Sequence, residues 1–298
     1  MSKITLPKKI PNLEINWEDP LNRGLLYYWT FRQKGGDLLR ESVSGGDATI
    51  NGSNAPSEGW YPFLKSSQGR SVNLNGTDDY ILSSETIPHG NRITYAWWGR
   101  LDITSPIDAY VFSATGARAV ATTFSGTNRP LRFYFTINTA ERNVELGNYY
   151  SGASNYLGTD WHHHVVTFDG NLIKGYTDGK PVAQELRAGS VNPSSNLYMG
   201  TYDGVQRFWN GKLSDVRYYD RVLSKQEISN LYLASKTGYA NQFQKKDYVF
   251  YIGQTPPDVS NTPVTRLGLM GTPSKNLTLA SEEPSAGTGR NMTLLGVG

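Results

Sequence analysis

The 298-residue chain contains no cysteine. That excludes disulfides, thiolate metal sites, iron–sulfur ligation and cysteine nucleophiles together. Charge is also scarce: Asp, Glu, Lys and Arg make up 18% of the residues, against roughly 25% in an ordinary globular chain. The net charge of +3 is small and scattered, which argues against an electrostatic nucleic-acid binder. No stretch approaches the ~18 consecutive apolar residues of a membrane span. Residues 1–9 carry lysines with no apolar run behind them, so no secretory signal is expected. Aromatic side chains are plentiful, with 7 Trp, 19 Tyr and 10 Phe, and there are 31 glycines. Such a composition predicts a soluble β protein.

The hydrophobic period is mostly two. Leu131, Phe133, Phe135 and Ile137 share one face of a strand, with Arg132 and Thr136 on the other. Residues 93–98 and 161–168 carry bulk on both faces, as strands inside a sandwich do, and Trp29, Trp97 and Trp161 are assigned to strands in the core. Asn75-Gly76, Asp169-Gly170, Asp178-Gly179, Asp203-Gly204 and Asn210-Gly211 read as turns, because these residues tolerate the positive φ of tight hairpins. Many short strands at this spacing predict a β-sandwich or jelly roll. Ser224-Lys225-Gln226-Glu227 is a capping box followed by Ile228, Leu231 and Tyr232 at helical spacing, so a short helix is expected over about 225–234, flanking or plugging the sandwich.

The ends differ from the middle. Residues 1–14 read as an extended arm with two prolines and three lysines. From 253 to 298 there is no Phe, Trp or Tyr, and Gly, Pro, Ser and Thr supply 23 of the 46 residues. A segment of that kind cannot bury enough apolar surface to fold alone, so a partner is expected to hold it. The domain boundaries read from composition are therefore an arm at 1–14, a sandwich at 15–252 and a tail at 253–298.

Five ordered motifs between Gly24 and Tyr232 carry a family likeness. They are the opening strand 24–31, the Asn75-Gly76-Thr77-Asp78-Asp79-Tyr80 turn, the aromatic strand 93–98, the Trp161-to-Lys180 hairpin, and the closing strand 210–219 running into the helix. Together they resemble the LamG-like jelly-roll family of concanavalin A-like sandwiches. The lead-in from Ile15 to Gly24, and a strand-like run at 246–251, are similar to phage-encoded members. His164 departs from the pattern, standing where the family has an apolar residue, and residues 114–154 follow none of it. The resemblance implies an all-β, concanavalin A-like antiparallel β-sandwich with one short C-terminal helix and extended arms. A fold does not fix an activity.

Some sandwiches of this kind are glucanases, which set two carboxylates about 5–5.5 Å apart for retention. The sequence holds no such constellation: Glu18 and Asp19 are adjacent, as are Asp78 and Asp79. A glycosidase is therefore not expected. Of His162, His163 and His164, only the first and third can share a strand face, and zinc needs further ligands, so a structural role is favoured. Relatives of the fold hold calcium with acidic loops, which makes Asp78, Asp79, Asp203 and Asp215 the candidate ligands. The plainer alternatives are Asx turns at 78 and 79, and an ion pair between Asp215 and Arg217. Trp60, Tyr61, Tyr202, Phe208 and Trp209 lie in loop-like contexts and stand equally between core filling and sugar platforms.

The favoured expectation is a non-enzymatic virion protein of a tailed phage, a capsid decoration or head-fibre subunit assembled in the host cytoplasm. Its jelly roll would project outward and its arms would lace along other virion proteins in a homo-oligomeric assembly. Val264, Leu267, Leu269, Met270, Leu277, Leu279, Leu294 and Leu295 are the candidate anchors of the tail. Tail or baseplate placement, or a stand-alone carbohydrate-binding module, are the alternatives. Host-surface glycans are candidate ligands, nucleic acid and membrane insertion are not expected, and calcium is the candidate cofactor.

Overall fold

A computed structural model gives the structure of the chain. It describes residues 13–31, 37–52, 60–62, 70–102, 108–121, 130–149, 153–193, 195–237, 243–245, 277–279 and 292–294. Ile15–Gln244 form one compact unit; Met1–Glu14 with Lys245–Gly298 form another. In the second, Leu277–Leu279 pairs antiparallel with Met292–Leu294. Leu277, Leu279 and Leu294 of the expected anchors thus lie on a ladder. Val264, Leu267, Leu269, Met270 and Leu295, like the run 246–251, lie outside the described residues.

The larger unit is a sandwich of two antiparallel sheets with one short helix. The first sheet runs edge to edge through Ala140–Asn148, Pro130–Ile137, Ala117–Ala121, Ala109–Ala114, Asn196–Met199, Tyr80–Thr86, Ala48–Asn51 and Leu38–Leu39. The second runs through Lys180–Leu186, Leu172–Thr177, His162–Phe168, Ile93–Leu101, Asn210–Tyr219, Arg70–Asn75 and Trp60–Pro62, with Leu25–Trp29 also pairing on Asn210–Tyr219. Alternation does the sorting: Leu131, Phe133, Phe135 and Ile137 are fully buried, while Arg132, Tyr134 and Thr136 face outward. Between the sheets Trp97 meets Phe112 edge-on at 4.8 Å, and Phe133 meets Phe135 at 4.8 Å and Tyr95 at 5.3 Å. Each such pair adds about 0.5–1.5 kcal/mol beyond the area it buries.

The helix Lys225–Thr237 runs one turn beyond the expected 225–234. Its capping box is formed: the Ser224 N–H donates to the Glu227 carboxylate at 2.8 Å, and the Glu227 N–H donates to the Ser224 hydroxyl at 3.2 Å. The extra turn has a packing reason. Tyr232 stacks on Trp98 at 5.7 Å, and Ser235 accepts the Trp98 indole N–H at 2.9 Å. Ile228 and Leu231 join Tyr28, Ala96, Val165, Tyr176 and Tyr219 in a second apolar cluster on the outer face of the second sheet. That face is therefore covered. Among the described residues no helix covers the outer face of the first sheet.

The Asp178-Gly179 turn is as expected, with φ of 52° and 76° joining Thr177 directly to Lys180. Asn210-Gly211 is not a turn; it opens the strand Asn210–Tyr219. Glycine is needed there for proximity, since a Cβ on Gly211 would meet the Arg100 carbonyl oxygen. Trp161 also departs from expectation, lying just outside the strand and only half-buried.

Candidate ligand-binding face

The open face of the first sheet carries a register row that crosses all eight strands. Asn143, Tyr134, Arg118, Ser113, Tyr198, Leu82, Thr49 and Leu38 stand directly opposite one another in turn. Neighbours in such a row have Cβ atoms about 4.5–5.5 Å apart, so the row forms one continuous surface. The Arg118 guanidinium lies 4.9 Å from the centre of the Tyr134 ring and 2.5 Å from the Glu141 carboxylate. Beyond Tyr198, the Tyr80 ring sits at 6.1 Å, and Phe208 lies 6.4 Å from Tyr80.

A bulge turns a further aromatic, Tyr110, to this side of the sheet, where it is buried under its neighbours. Ala119 opposes Phe112 while its neighbour Val120 opposes Tyr110, leaving Val111 as the extra residue. Val111 and Phe112 both enter the core, and Tyr110 lies outside that cluster. Tyr110 meets the ring of Tyr202 at 5.0 Å. The Arg207 guanidinium lies over both, 5.8 Å from Tyr110 and 5.7 Å from Tyr202, and Nη1 donates to the Tyr110 hydroxyl at 3.2 Å. Burial raises the Tyr110 phenol, opposed by the nearby Arg118 and Arg207 cations.

The loop 200–209 presents these groups in a fixed shape. The Thr201 hydroxyl donates to the Gln206 carbonyl at 2.7 Å and accepts the Gly204 N–H at 3.2 Å. Asp203 Oδ1 accepts the N–H groups of Val205 at 3.0 Å and Gln206 at 3.1 Å. The Gln206 side-chain amide donates to Oδ2 at 2.9 Å, and this bond leads in holding the Asp203 carboxyl below its ordinary range. Arg207 adopts φ 58°, and the Tyr110 N–H donates to its carbonyl at 3.2 Å. A left-handed non-glycine residue costs on the order of 1 kcal/mol, which the bracing around it must offset.

The sugar platforms proposed from sequence separate into three groups. Tyr202 is 39% exposed, Phe208 is partly buried, and both lie on the open face. Trp209 is fully buried, packed against Tyr149 at 6.3 Å, and presents no ring to a ligand: the chain turns inward into the strand at 210, so the last loop aromatic fills the core. Trp60 and Tyr61 lie on the strand Trp60–Pro62 rather than in a loop, and their side chains are outside the described residues. Tyr80, Tyr110, Tyr134, Tyr198, Arg118 and Arg207 were not singled out from sequence. For Tyr134 the signal was present, since it alternates with Phe133 and Phe135. For Tyr110 the bulge erased it.

The four acids proposed for calcium hold protein donors. Asn75 organises the turn: its Oδ1 accepts the N–H groups of Thr77, Asp78 and Asp79 at 2.8, 3.1 and 3.2 Å. In return Asp78 accepts the Asn75 side-chain amide at 2.7 Å, and Asp79 accepts the Asn75 N–H at 3.1 Å. Asp203 closes its own loop, as above. Asp215 is buried under the helix side of the second sheet, 2.7 Å from Arg217 Nε. Among the described residues no group of three or more His, Asp or Glu converges on a metal position.

His162 and His164 share one strand face, as expected, with their rings 6.1 Å apart, and His163 points to the other. His163 packs between Trp98 at 5.2 Å and Tyr232 at 6.1 Å, and burial depresses its imidazole to about 4. His164 lies against Trp97 in the core at 5.3 Å, held well below the ordinary histidine range by burial. His162 bonds to Asp178 instead. Alternation places one further acidic pair on the open side of the first sheet: Glu141 and Glu145 both face outward from the strand Ala140–Asn148. Four residues of strand separate their backbones by roughly 13 Å, and each meets an arginine, Arg118 at 2.5 Å and Arg132 at 3.6 Å.

Comparison with known proteins agrees with this architecture. The receptor-binding domain of a botulinum neurotoxin mosaic serotype C/D superposes with a TM-score of 0.56 at 12% identity, over 72% of this chain and 51% of the toxin chain. Domain 4 of AbnA, an extracellular arabinanase of Geobacillus stearothermophilus in complex with arabinotriose, gives 0.51 at 14% identity, over 70% of this chain and 97% of that domain. In sequence, the adhesion G-protein coupled receptor V1 of Danio rerio is 29% identical over 85 residues, 27% of this chain and 1% of the receptor. The chain thus spans about half of the toxin domain and a small fraction of the receptor. Residues 75–229, from the Asn75 turn into the capped helix, match the model of the concanavalin A-like lectin/glucanases superfamily, and the protein is a lectin-like β-sandwich belonging to that superfamily.

Proposed function

We propose that this protein is a non-catalytic recognition protein that binds glycans on the open face of its first sheet. The observation that carries the proposal is the aromatic surface of Tyr134, Tyr198 and Tyr202, with Tyr110 buried beneath Tyr202, which no helix covers among the described residues while the other sheet lies under the helix. Sugars present flat C–H faces that stack on exposed rings, with polar side chains fixing their hydroxyls. A receptor-binding domain and an arabinanase domain bound to arabinotriose share the fold, which is consistent with recognition. Against catalysis, Glu141 and Glu145 are each matched to an arginine and are farther apart along the strand than the carboxylates of a retaining pair. The test is binding to an array of several hundred glycans. Wild type should bind a definable subset, and Tyr202→Ala should lower that binding about tenfold without lowering the melting temperature. No binding across the array would overturn the proposal.

We further propose that the recognition domain is carried on the virion of a tailed phage, as a capsid decoration or head-fibre subunit. This rests on the aromatic-free composition of 253–298 and the likeness of 15–24 to phage-encoded relatives. The arm and tail would lie along neighbouring virion proteins. Deleting 253–298 should abolish incorporation into particles; truncated protein at full occupancy would refute the anchoring role.

A further inference from the structure

We propose that Arg207 makes the open face selective for sugars that bear a carboxylate, an inference that rests on the glycan-binding function proposed above. Arg207 lies over two tyrosine rings, which orient the guanidinium and occupy only Nη1. Its partners among the described residues are both on Nη1: the Tyr110 hydroxyl at 3.2 Å and, at 3.9 Å, the Asp108 carboxylate. Nε and Nη2 have no acceptor there. Two adjacent N–H groups of one guanidinium match the two oxygens of a carboxylate, a geometry that an ammonium lacks.

The surrounding charges favour this role for Arg207 over its neighbours. Arg118 is neutralised by Glu141 at 2.5 Å, and Arg132 faces Glu145 at 3.6 Å. The Asp108 carboxylate pairs with Nη1 of Arg207 at 3.9 Å, beyond hydrogen-bond reach, and leaves the Nε–Nη2 edge open among the described residues. Asp203, in the same loop, is turned to Val205 and Gln206. Position is fixed from the backbone, because the Arg207 carbonyl is held by the Tyr110 N–H at 3.2 Å. A sugar stacked on Tyr202 would therefore meet an oriented cation that lacks a hydrogen-bonded carboxylate.

Two matched pairs of probes test the inference by titration calorimetry: 3′-sialyllactose against lactose, and tetragalacturonate against its carboxyl-reduced form. The two pairs distinguish a sialic acid from a uronic acid as the source of the carboxylate. Wild type should bind the acidic member of one pair about tenfold more tightly than its neutral counterpart. Arg207→Gln should bring the two members within about twofold of each other, and Tyr202→Ala should weaken both members together. Melting temperatures report whether each variant is folded. Equal affinity for both members of each pair, or a preference that survives Arg207→Gln, would overturn the inference and leave glycan binding intact. The same holds if none of the four probes binds while the array yields a neutral ligand. An array with no binding at all removes the underlying function instead.

Discussion

His162 and Asp178 form a hydrogen-bonded ion pair across the hairpin, with Nδ1 of the imidazole 2.8 Å from the carboxylate. The other ring nitrogen, Nε2, lies 2.6 Å from the Leu157 carbonyl oxygen. A neutral imidazole has one N–H, so satisfying two acceptors requires the charged form. The pair ties the loop before His162 to the turn at Asp178, whose second carboxylate oxygen accepts the His163 N–H at 3.0 Å.

That geometry gives stability a defined pH dependence. Burial opposes the charge on His162, but the bonds to Asp178 and Leu157, with Asp160 nearby, raise its pKa overall. A raised basic pKa means that its contribution is complete below the unfolded value of 6.5 and is lost as pH rises through the folded value. Asp178 behaves oppositely: burial resists its ionisation, yet His162 and the His163 N–H lower it, so its contribution is lost as pH falls through the folded value. His162→Gln should cost about 1–2 kcal/mol at pH 6 and less at pH 9, measured as the difference between denaturation curves. A difference that does not change with pH would contradict the charged assignment.

Acid should destabilise the fold through the other histidines. Burial lowers His163 and His89 to about 4 and holds His164 well below the ordinary histidine range, so all three resist protonation in the folded state while the unfolded chain accepts it near 6.5. Stability from these groups is present above pH 6.5 and is lost as pH falls toward 4. His163→Phe, keeping the ring between Trp98 and Tyr232, should flatten part of the decline between pH 6 and 4 in thermal melts.

Arg217 and Asp215 are buried together, 2.7 Å apart, with the guanidinium 4.0 Å above the Tyr28 ring and its Nη2 donating to the Tyr28 hydroxyl at 2.7 Å. Removing one partner leaves a buried charge without its counter-ion. Arg217→Met should therefore cost about 3–5 kcal/mol in urea denaturation, and Arg217→Lys should not restore it, because an ammonium cannot reproduce the stacked, forked contacts.

The two neighbouring aromatics Phe208 and Trp209 should part company under mutation. Trp209→Ala empties a fully buried core position and should destabilise the domain by about 3–5 kcal/mol. Phe208→Ala, on the open face, should change the melting temperature little and act on ligand binding. Any binding lost by Trp209→Ala should return at temperatures where that variant is folded.

Much of the fold was legible because burial on one face imposes a period of two on the chain. Leu131–Ile137 reads as a strand on that ground alone, and the capping box at Ser224 marks where the helix begins. Asp178-Gly179 announces its hairpin because both residues accept positive φ. The Asn138-Thr139 hairpin, with φ of 48° and 68°, lacks glycine and gave no such signal. At Asn210-Gly211 a similar turn-forming dipeptide signals something else, a close approach to Arg100 that only the fold creates.

The candidate face was less legible, because binding surfaces are assembled from residues distant in sequence. Tyr110 and Tyr202 are brought within 5.0 Å by strand pairing and a loop, and a single-residue bulge sets which way Tyr110 points. Local composition by itself determined that this chain would build an antiparallel sandwich with a capped helix, since alternation and capping act over a few residues. The tertiary structure alone decided which sheet the helix covers, which aromatics remain outside, and which edge of the Arg207 guanidinium stays open among the described residues. Those outcomes depend on register and packing between strands up to nearly two hundred residues apart, and no local pattern encodes them.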